Sequence, residues 1–391
     1  MSRLTGFIGD RIEVNSVLIV LCFVAVLILA SQSAASYPSY FLALSMLLSV
    51  RAWNDVFRVG VFWLIATLLG YLALSSLWSS PFVWRDVFST FARALLVWSF
   101  VVAFAECQQR GQLRQWLARA LAVVGVLATV AAIVNFLITQ PADGRLNGLG
   151  QLHTQVIAAL VYGVVLIFAL EIVASDRSRA WRSIAVIGVL VIAVAVMLSD
   201  SRNAWVSVTC GVAVFALAHQ VQDRQRFVAA VATTLVCLAV VLLLLGSNES
   251  TRELVLPRGD SFRLAIWSSV TERVLAHGAV FGLGINSPDE TIVDDMTFLH
   301  PHSMYLSALY QGGLVALIGL LALIGWVLAI LLGNYHERDA KLALGILGIA
   351  LPAYLLDGHE LIDKVGSTWF LFWVPVAISV GLRWRQPRMD L

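Results

Sequence analysis

Apolar residues in this chain run on where a soluble helix or strand would alternate them with polar ones. Twelve such runs stand at roughly 16–34, 38–50, 59–79, 87–106, 116–138, 153–174, 182–199, 203–219, 227–246, 303–333, 340–356 and 367–384. A bilayer core about 30 Å thick takes about 20 helical residues. Lipid leaves no partner for a free backbone amide, so helices are the expected spanning form. The short alternating segments of a membrane β-barrel are missing. The pattern therefore predicts an all-α fold: a polytopic membrane bundle of about 12 transmembrane helices, one integral domain over residues 1–391.

The gap at 247–302, between the ninth and tenth runs, is far longer than the others. Long loops in compact folds commonly carry function. Within it Phe262, Ile266, Val270 and Val274 recur every fourth residue, one stripe of an amphipathic helix. Asp260 or Ser261 is placed to cap it, and Gly278, Gly282 and Gly284 to end it. Asp289, Glu290, Asp294 and Asp295 then predict a solvated acidic stretch. The run from Ser303 to Gly333 is too long for one crossing, so its first turns rise above the membrane or it tilts. Gly312-Gly313 is the place for a kink.

Composition agrees: 60% of residues are hydrophobic, 13% are charged and the mean hydropathy is +0.86. Of the 26 Lys and Arg residues, 17 fall at the termini and in one alternate set of gaps, and eight in the other set. Arg93 alone lies within a run. Positive charge in short loops marks the cytoplasmic side, which makes both termini cytoplasmic and the 247–302 loop external. Arg3 and Arg11 ahead of the first run give it a signal-peptide look, but it opens a long polytopic chain and is read as an uncleaved helix. Cys22, Cys107, Cys210 and Cys237 follow no pairing pattern, so neither a disulfide framework nor a metal cluster is expected. No basic run suits nucleic acid.

Three external pieces carry chemistry. Asp200-Ser201-Arg202-Asn203-Ala204-Trp205 forms a tight turn. Ser261-Phe262-Arg263 opens the loop helix, with Trp267 one turn on. His300-Pro301-His302-Ser303 enters the tenth span. Arg145, in Gly144-Arg145-Leu146-Asn147-Gly148, is a fourth candidate. Arginine presents a charged planar fork that fits phosphate, and neutral histidine takes a proton near physiological pH. An arginine cluster with one histidine suits displacement of a pyrophosphate by a hydroxyl. His302 is the expected base, with His300 as the alternative. Arg202 could instead reach to lipid headgroups. Asp357, Gly358, His359, Glu360, Asp363 and Lys364 fill the last external gap. They could help bind an acceptor, Asp357 and His359 foremost, though a solvated loop explains them as well.

These motifs resemble those of bacterial O-antigen ligases, within the wider group of O-antigen ligases and polymerases. Ser201-Arg202 with Trp205 is similar to that family's external Ser-Arg turn. Arg263 with Trp267 resembles its loop-helix arginine and following aromatic. His302-Ser303-Met304-Tyr305-Leu306 fits its His-[Ser/Asn]-x-x-Leu pattern. Asn203 departs from the family, where glycine is common. The resemblance implies glycan transfer from undecaprenyl pyrophosphate to lipid A–core oligosaccharide, at the periplasmic face of the inner membrane, with no cofactor and no obligatory metal. It implies His302 as base and Arg202 and Arg263 on the pyrophosphate, supported by Arg145, with the prenyl tail between spans. A polymerase acting on prenyl-linked glycans is the near alternative. A secondary transporter is the distant one, but no repeat relates residues 1–195 to 196–391.

Overall fold

A computed structural model of the protein describes residues 2–109, 113–233, 262–293, 295–358 and 360–385. His359 and residues 247–261 of the loop, Asp260 and Ser261 among them, lie outside the described residues. The helices are α1 (Ser2–Ile28), α2 (Gln32–Ala35), α3 (Tyr37–Leu47), α4 (Val50–Val56), α5 (Gly60–Ser75), α6 (Trp84–Gln109), α7 (Leu113–Thr139), α8 (Gln155–Ser175), α9 (Arg179–Leu198) and α10 (Arg202–Gln220). There follow α11 (224–233), α12 (Arg263–His277), α13 (Met304–Gly333), α14 (Arg338–Leu356) and a π-helical turn (Trp369–Trp373) running into α15 (Val374–Arg385). Each apolar run thus carries helix, the ninth over its first residues. Among the described residues seven helices are long and apolar enough to cross a membrane alone. The protein is an all-α, multi-pass membrane bundle.

The second run is the shortest. Its 11-residue α3 spans only about 16 Å at about 1.5 Å per residue. The four-residue α2 precedes it, and the two are interrupted before Pro38 at the start of α3. Gln32 of α2 donates to Asp363 at one end of the bundle (2.9 Å). Met46 of α3 meets Arg11 and Asn15 at the other end. The remaining gaps sort the same way. Lys364 contacts Ser33, and Ser80 contacts Ser287, at the end that carries His302. Arg114, Gln108 and Arg385 meet Asp339 at the opposite end. The alternation seen in the charges is therefore an alternation in space.

α10 and α14 pack so closely that a Cβ on Gly211 would lie 2.2 Å from Ile349, the kind of contact small residues permit between membrane helices. That seam sets the start of α10, with Arg202, beside the end of α14, with Asp357.

The kink expected in α13 is present. Gly312 and Gly313 leave helical geometry (φ −131° and +64°), which divides the helix into a short outer part and about 20 spanning residues. A broken helix in a membrane must satisfy its freed amides and carbonyls within the protein. The loop after α12 does this. Leu283 and Gly284 donate to the carbonyls of Tyr310 and Gln311 (2.8 and 3.0 Å), and Leu314 donates to Ala279 (2.9 Å). Gly282 must be glycine: its φ is +71° and a Cβ would meet the Gly313 nitrogen at 2.4 Å.

α12 buries Ile266, Val270 and Val274 against Tyr310, with Phe262 partly buried on Phe298, as its periodicity predicts. Its cap differs from expectation. Phe262 occupies the N-cap position in left-handed conformation (φ +61°) with no side-chain cap bond. The expected acidic stretch leaves Glu290 and Asp295 exposed but is not structureless. It carries a small hairpin, β1 (Thr291–Val293) with β2 (Met296–Phe298), and Arg273 ties it down through the Pro288 and Glu290 carbonyls (2.7 and 2.9 Å). Burial pushes the Asp289 carboxyl up to about 6.

Candidate functional site

The site forms where α10, α12, α13 and α14 converge. His302 lies on a short strap just ahead of α13, at φ +52°, a left-handed conformation uncommon for a residue with a side chain. Two bonds hold the strap there. Trp267 of α12 donates its indole N–H to the Pro301 carbonyl (3.1 Å), and the His302 amide donates to Nδ1 of His300 (3.3 Å). The two imidazoles lie with ring centroids 4.1 Å apart.

Asp357 caps the end of α14 and faces His302, with 3.4 Å between Oδ1 and Nδ1. The same oxygen accepts the Gly358 amide (2.8 Å). Burial pushes the Asp357 carboxyl up, but the hydrogen bonds from His302 and Gly358 outweigh it and hold the group below the usual carboxylate range. It is an anion at neutral pH. A carboxylate accepts from Nδ1–H, which leaves the Nε2 lone pair of His302 available for another proton. His300 spends Nδ1 on the backbone, so of the two it is the more fully committed to holding the strap.

Arg263, first residue of α12, donates Nε to the Leu356 carbonyl (3.1 Å), the residue before Asp357. One face of α12 therefore reaches both halves of the His302–Asp357 pair: Trp267 holds the strap and Arg263 the end of α14. Among the described residues no carboxylate pairs with Arg263.

Arg202 opens α10. Ser201 caps that helix, accepting the Ala204 amide (3.3 Å). Asn203 is buried, donates to the Ala353 carbonyl (3.4 Å) and accepts from Ser207 (3.1 Å), so it bolts the start of α10 to α14. Trp205 donates to the Val196 carbonyl (2.8 Å), closing the turn on α9. Arg145 lies against this turn, donating to the carbonyls of Ser199 and Asp200 (both 3.1 Å).

The gap after α14, residues 357–364, is not a solvated loop. Leu361, Ile362 and Val365 are buried. Asp357, Glu360 and Asp363 line a 280 Å³ pocket with His300, Gln151 and Tyr354. Burial and neighbouring Asp363 push the Glu360 carboxyl up to about 7, while Arg93, inside α6, draws it down. Arg93 is thus directed at this end of the bundle, which its position in an apolar run could not reveal. A metal ion has one set of candidate ligands among the described residues: His300, His302 and Asp357 bring a ligand atom each to within 4.8 Å of one another. Two imidazoles and a carboxylate suit a first-row transition metal.

A protein-family profile described as O-antigen ligase matches residues 187–321, the stretch that holds Arg202, Arg263, His300 and His302. An O-antigen ligase of Pseudomonas aeruginosa is 26% identical over 323 residues, covering 81% of this chain and 76% of that protein. The resemblance to bacterial O-antigen ligases read from three short motifs thus extends over most of the chain.

Proposed function

We propose that this O-antigen-ligase-like chain transfers a glycan from undecaprenyl pyrophosphate to lipid A–core oligosaccharide, completing lipopolysaccharide on the periplasmic face of the bacterial inner membrane, with both termini cytoplasmic. The observation that carries the reading is the His302–Asp357 pair with Arg263 anchored one residue away. Nε2 of His302 takes the proton of an acceptor hydroxyl. The freed oxygen attacks the anomeric carbon from the face opposite the leaving group, and the bond to pyrophosphate breaks with inversion. Its electrons pass to the departing phosphate oxygen, where Arg202 and Arg263 hold the growing charge. Asp357 stabilises the imidazolium.

Arg145 serves this site by bracing the turn that carries Arg202, and it adds a positive charge that carbonyl partners do not neutralise. His300 positions His302. The groove walled by Trp267, Tyr305, Leu306 and Leu355 offers an apolar bed for the prenyl chain. No metal takes part, because His302 is needed as a base.

The test is transfer in vitro by purified protein supplied with prenyl-pyrophosphate-linked glycan, lipid A–core and a chelator, beside His302→Ala. The reading expects a ladder on lipid A–core that the variant cannot make. Growth only on the prenyl carrier would mean polymerase. Loss under chelator, restored by a transition metal, would make His300, His302 and Asp357 a metal site instead.

A further inference from the structure

Two cavities flank the strap of His300–Ser303. On one side a 520 Å³ groove runs between α12 and α13, walled by Trp267, Tyr305, Leu306 and Leu355, reaching Ser303 and bordered on the α12 side by Glu272. It adjoins Leu356, the acceptor of Arg263. On the other side the 280 Å³ pocket touches His300 and Asp357 and extends to Glu360 and Asp363. Asp357, which holds His302, belongs to the pocket wall.

Building on the proposed transfer reaction, we infer that the strap separates the two substrates: the prenyl pyrophosphate lies on the Arg263 side, and the acceptor sugar sits by its neutral hydroxyls in the pocket of Glu360 and Asp363.

Charge makes the assignment. A pyrophosphate would meet the carboxylates of Asp357 and Asp363 in the pocket, with Glu360 beside them, against the single Glu272 of the groove, and like charges at close range repel in a half-buried site. A sugar brings hydroxyls that both donate and accept, which suits carboxylates set among amides and a phenol. The pocket also holds a donor that lacks an acceptor. Nε2 of Gln151 is buried and finds no hydrogen-bond partner among the described residues. Buried polar groups are rarely left unmet, and here the amide lines a cavity together with the buried phenol of Tyr354, which has Thr368 beside it. Asp363 is itself oriented by Gln32 (2.9 Å) and by the Lys364 amide (2.6 Å). The far wall of the pocket is therefore built from α2, α8 with its preceding loop, and the loop after α14.

The test uses the full-length protein in lipid nanodiscs and measures each substrate separately. Binding of lipid A–core without donor, and of prenyl-pyrophosphate-linked glycan without acceptor, is followed for wild type, Glu360→Gln and Ser367→Trp. The last fills the pocket from its rim. Steady-state transfer is then measured where it occurs. Glu360→Gln is expected to weaken acceptor binding and raise acceptor KM about tenfold, the worth of one hydrogen bond to a buried carboxyl, with the donor changed by less than about twofold. Ser367→Trp is expected to abolish acceptor binding while donor binding persists. Weakened donor binding in Glu360→Gln, or wild-type acceptor binding in both variants, overturns the assignment. If the wild type binds both lipids and transfers nothing, the proposed reaction fails, while the two binding measurements still decide which side takes which lipid.

Discussion

The two ends of the bundle hold similar residues and use them differently. At the end opposite His302, arginines meet carboxylates. Arg114 pairs with Asp339 (3.1 Å) and lies 3.8 Å from Glu171, and Arg119 grips Asp176 through two nitrogens (3.0 and 2.9 Å). Arg11 pairs with Glu106, and Gln108 donates to Asp339 (2.9 Å). At the His302 end, Arg263 and Arg145 donate to backbone carbonyls. A carboxylate neutralises an arginine, whereas a carbonyl only orients it. The first arrangement closes a network that joins α6, α7, α8, α14 and α15. The second fixes cations in place and leaves their charge for an incoming anion. Polar residues in a membrane protein are therefore informative less by their number than by what completes them.

Four variants can break or sharpen this contrast. The largest effect is expected for His302→Gln, which keeps the size of the side chain and removes the base. Transfer should fall by about 10²–10⁴-fold, the usual contribution of general base catalysis, with unchanged membrane insertion and thermal midpoint. Residual activity near wild type would remove His302 from the chemistry. Arg263→Lys follows. It keeps the charge and loses the fork, so transfer should fall by about tenfold to a hundredfold, read as a weaker donor KM at normal stability.

At the opposite end the sign of the comparison reverses. Asp339→Ala leaves Arg114 and Gln108 without their shared acceptor. It should cost about 2 kcal/mol of stability, the worth of a hydrogen bond to a charged group, and leave turnover per folded molecule unchanged. A matched loss of turnover at full stability would show that this end also serves the reaction. The smallest effect concerns pH. Burial and Asp363 raise the Glu360 carboxyl from 4.5 to about 7, so between these values the folded chain holds a proton that the unfolded chain has released. Stability from this group is full below the lower value and is lost as pH rises through the upper one. The wild-type thermal midpoint should drop across that window by a few degrees, and Glu360→Gln should show a smaller drop. Parallel curves for the two proteins would mean that the proton is not held.

Much of this was legible in the sequence, for physical reasons. Apolar runs follow from the bilayer, the four-residue stripe of α12 from helical pitch, and the break at Gly312-Gly313 from the freedom of paired glycines. Of the motif residues, His302 faces Asp357 and Arg263 reaches the carbonyl just before it, while Arg202 opens the helix that Asn203 ties to α14. What stayed hidden depends on the third dimension. The strands of the 291–298 hairpin have three residues each, too short for periodicity to register. Arg145 reads as a loop cation until its two carbonyl partners, more than fifty residues away, are known. Glu360 and Asp363 read as residues of a solvated loop until Leu361, Ile362 and Val365 beside them are found to turn inward. The cap of α12 failed because the chain enters that helix through the left-handed Phe262, a conformation that residue type does not advertise.

The measurement that bears most directly on the site is a double-mutant cycle of His302→Gln and Asp357→Asn, read as transfer rate from the prenyl-linked donor to lipid A–core. If the pair works as one base, Asp357→Asn alone should be severely impaired and should cost nothing more once His302 is gone. Losses that multiply in the double variant would contradict the pairing and leave the two residues with separate tasks.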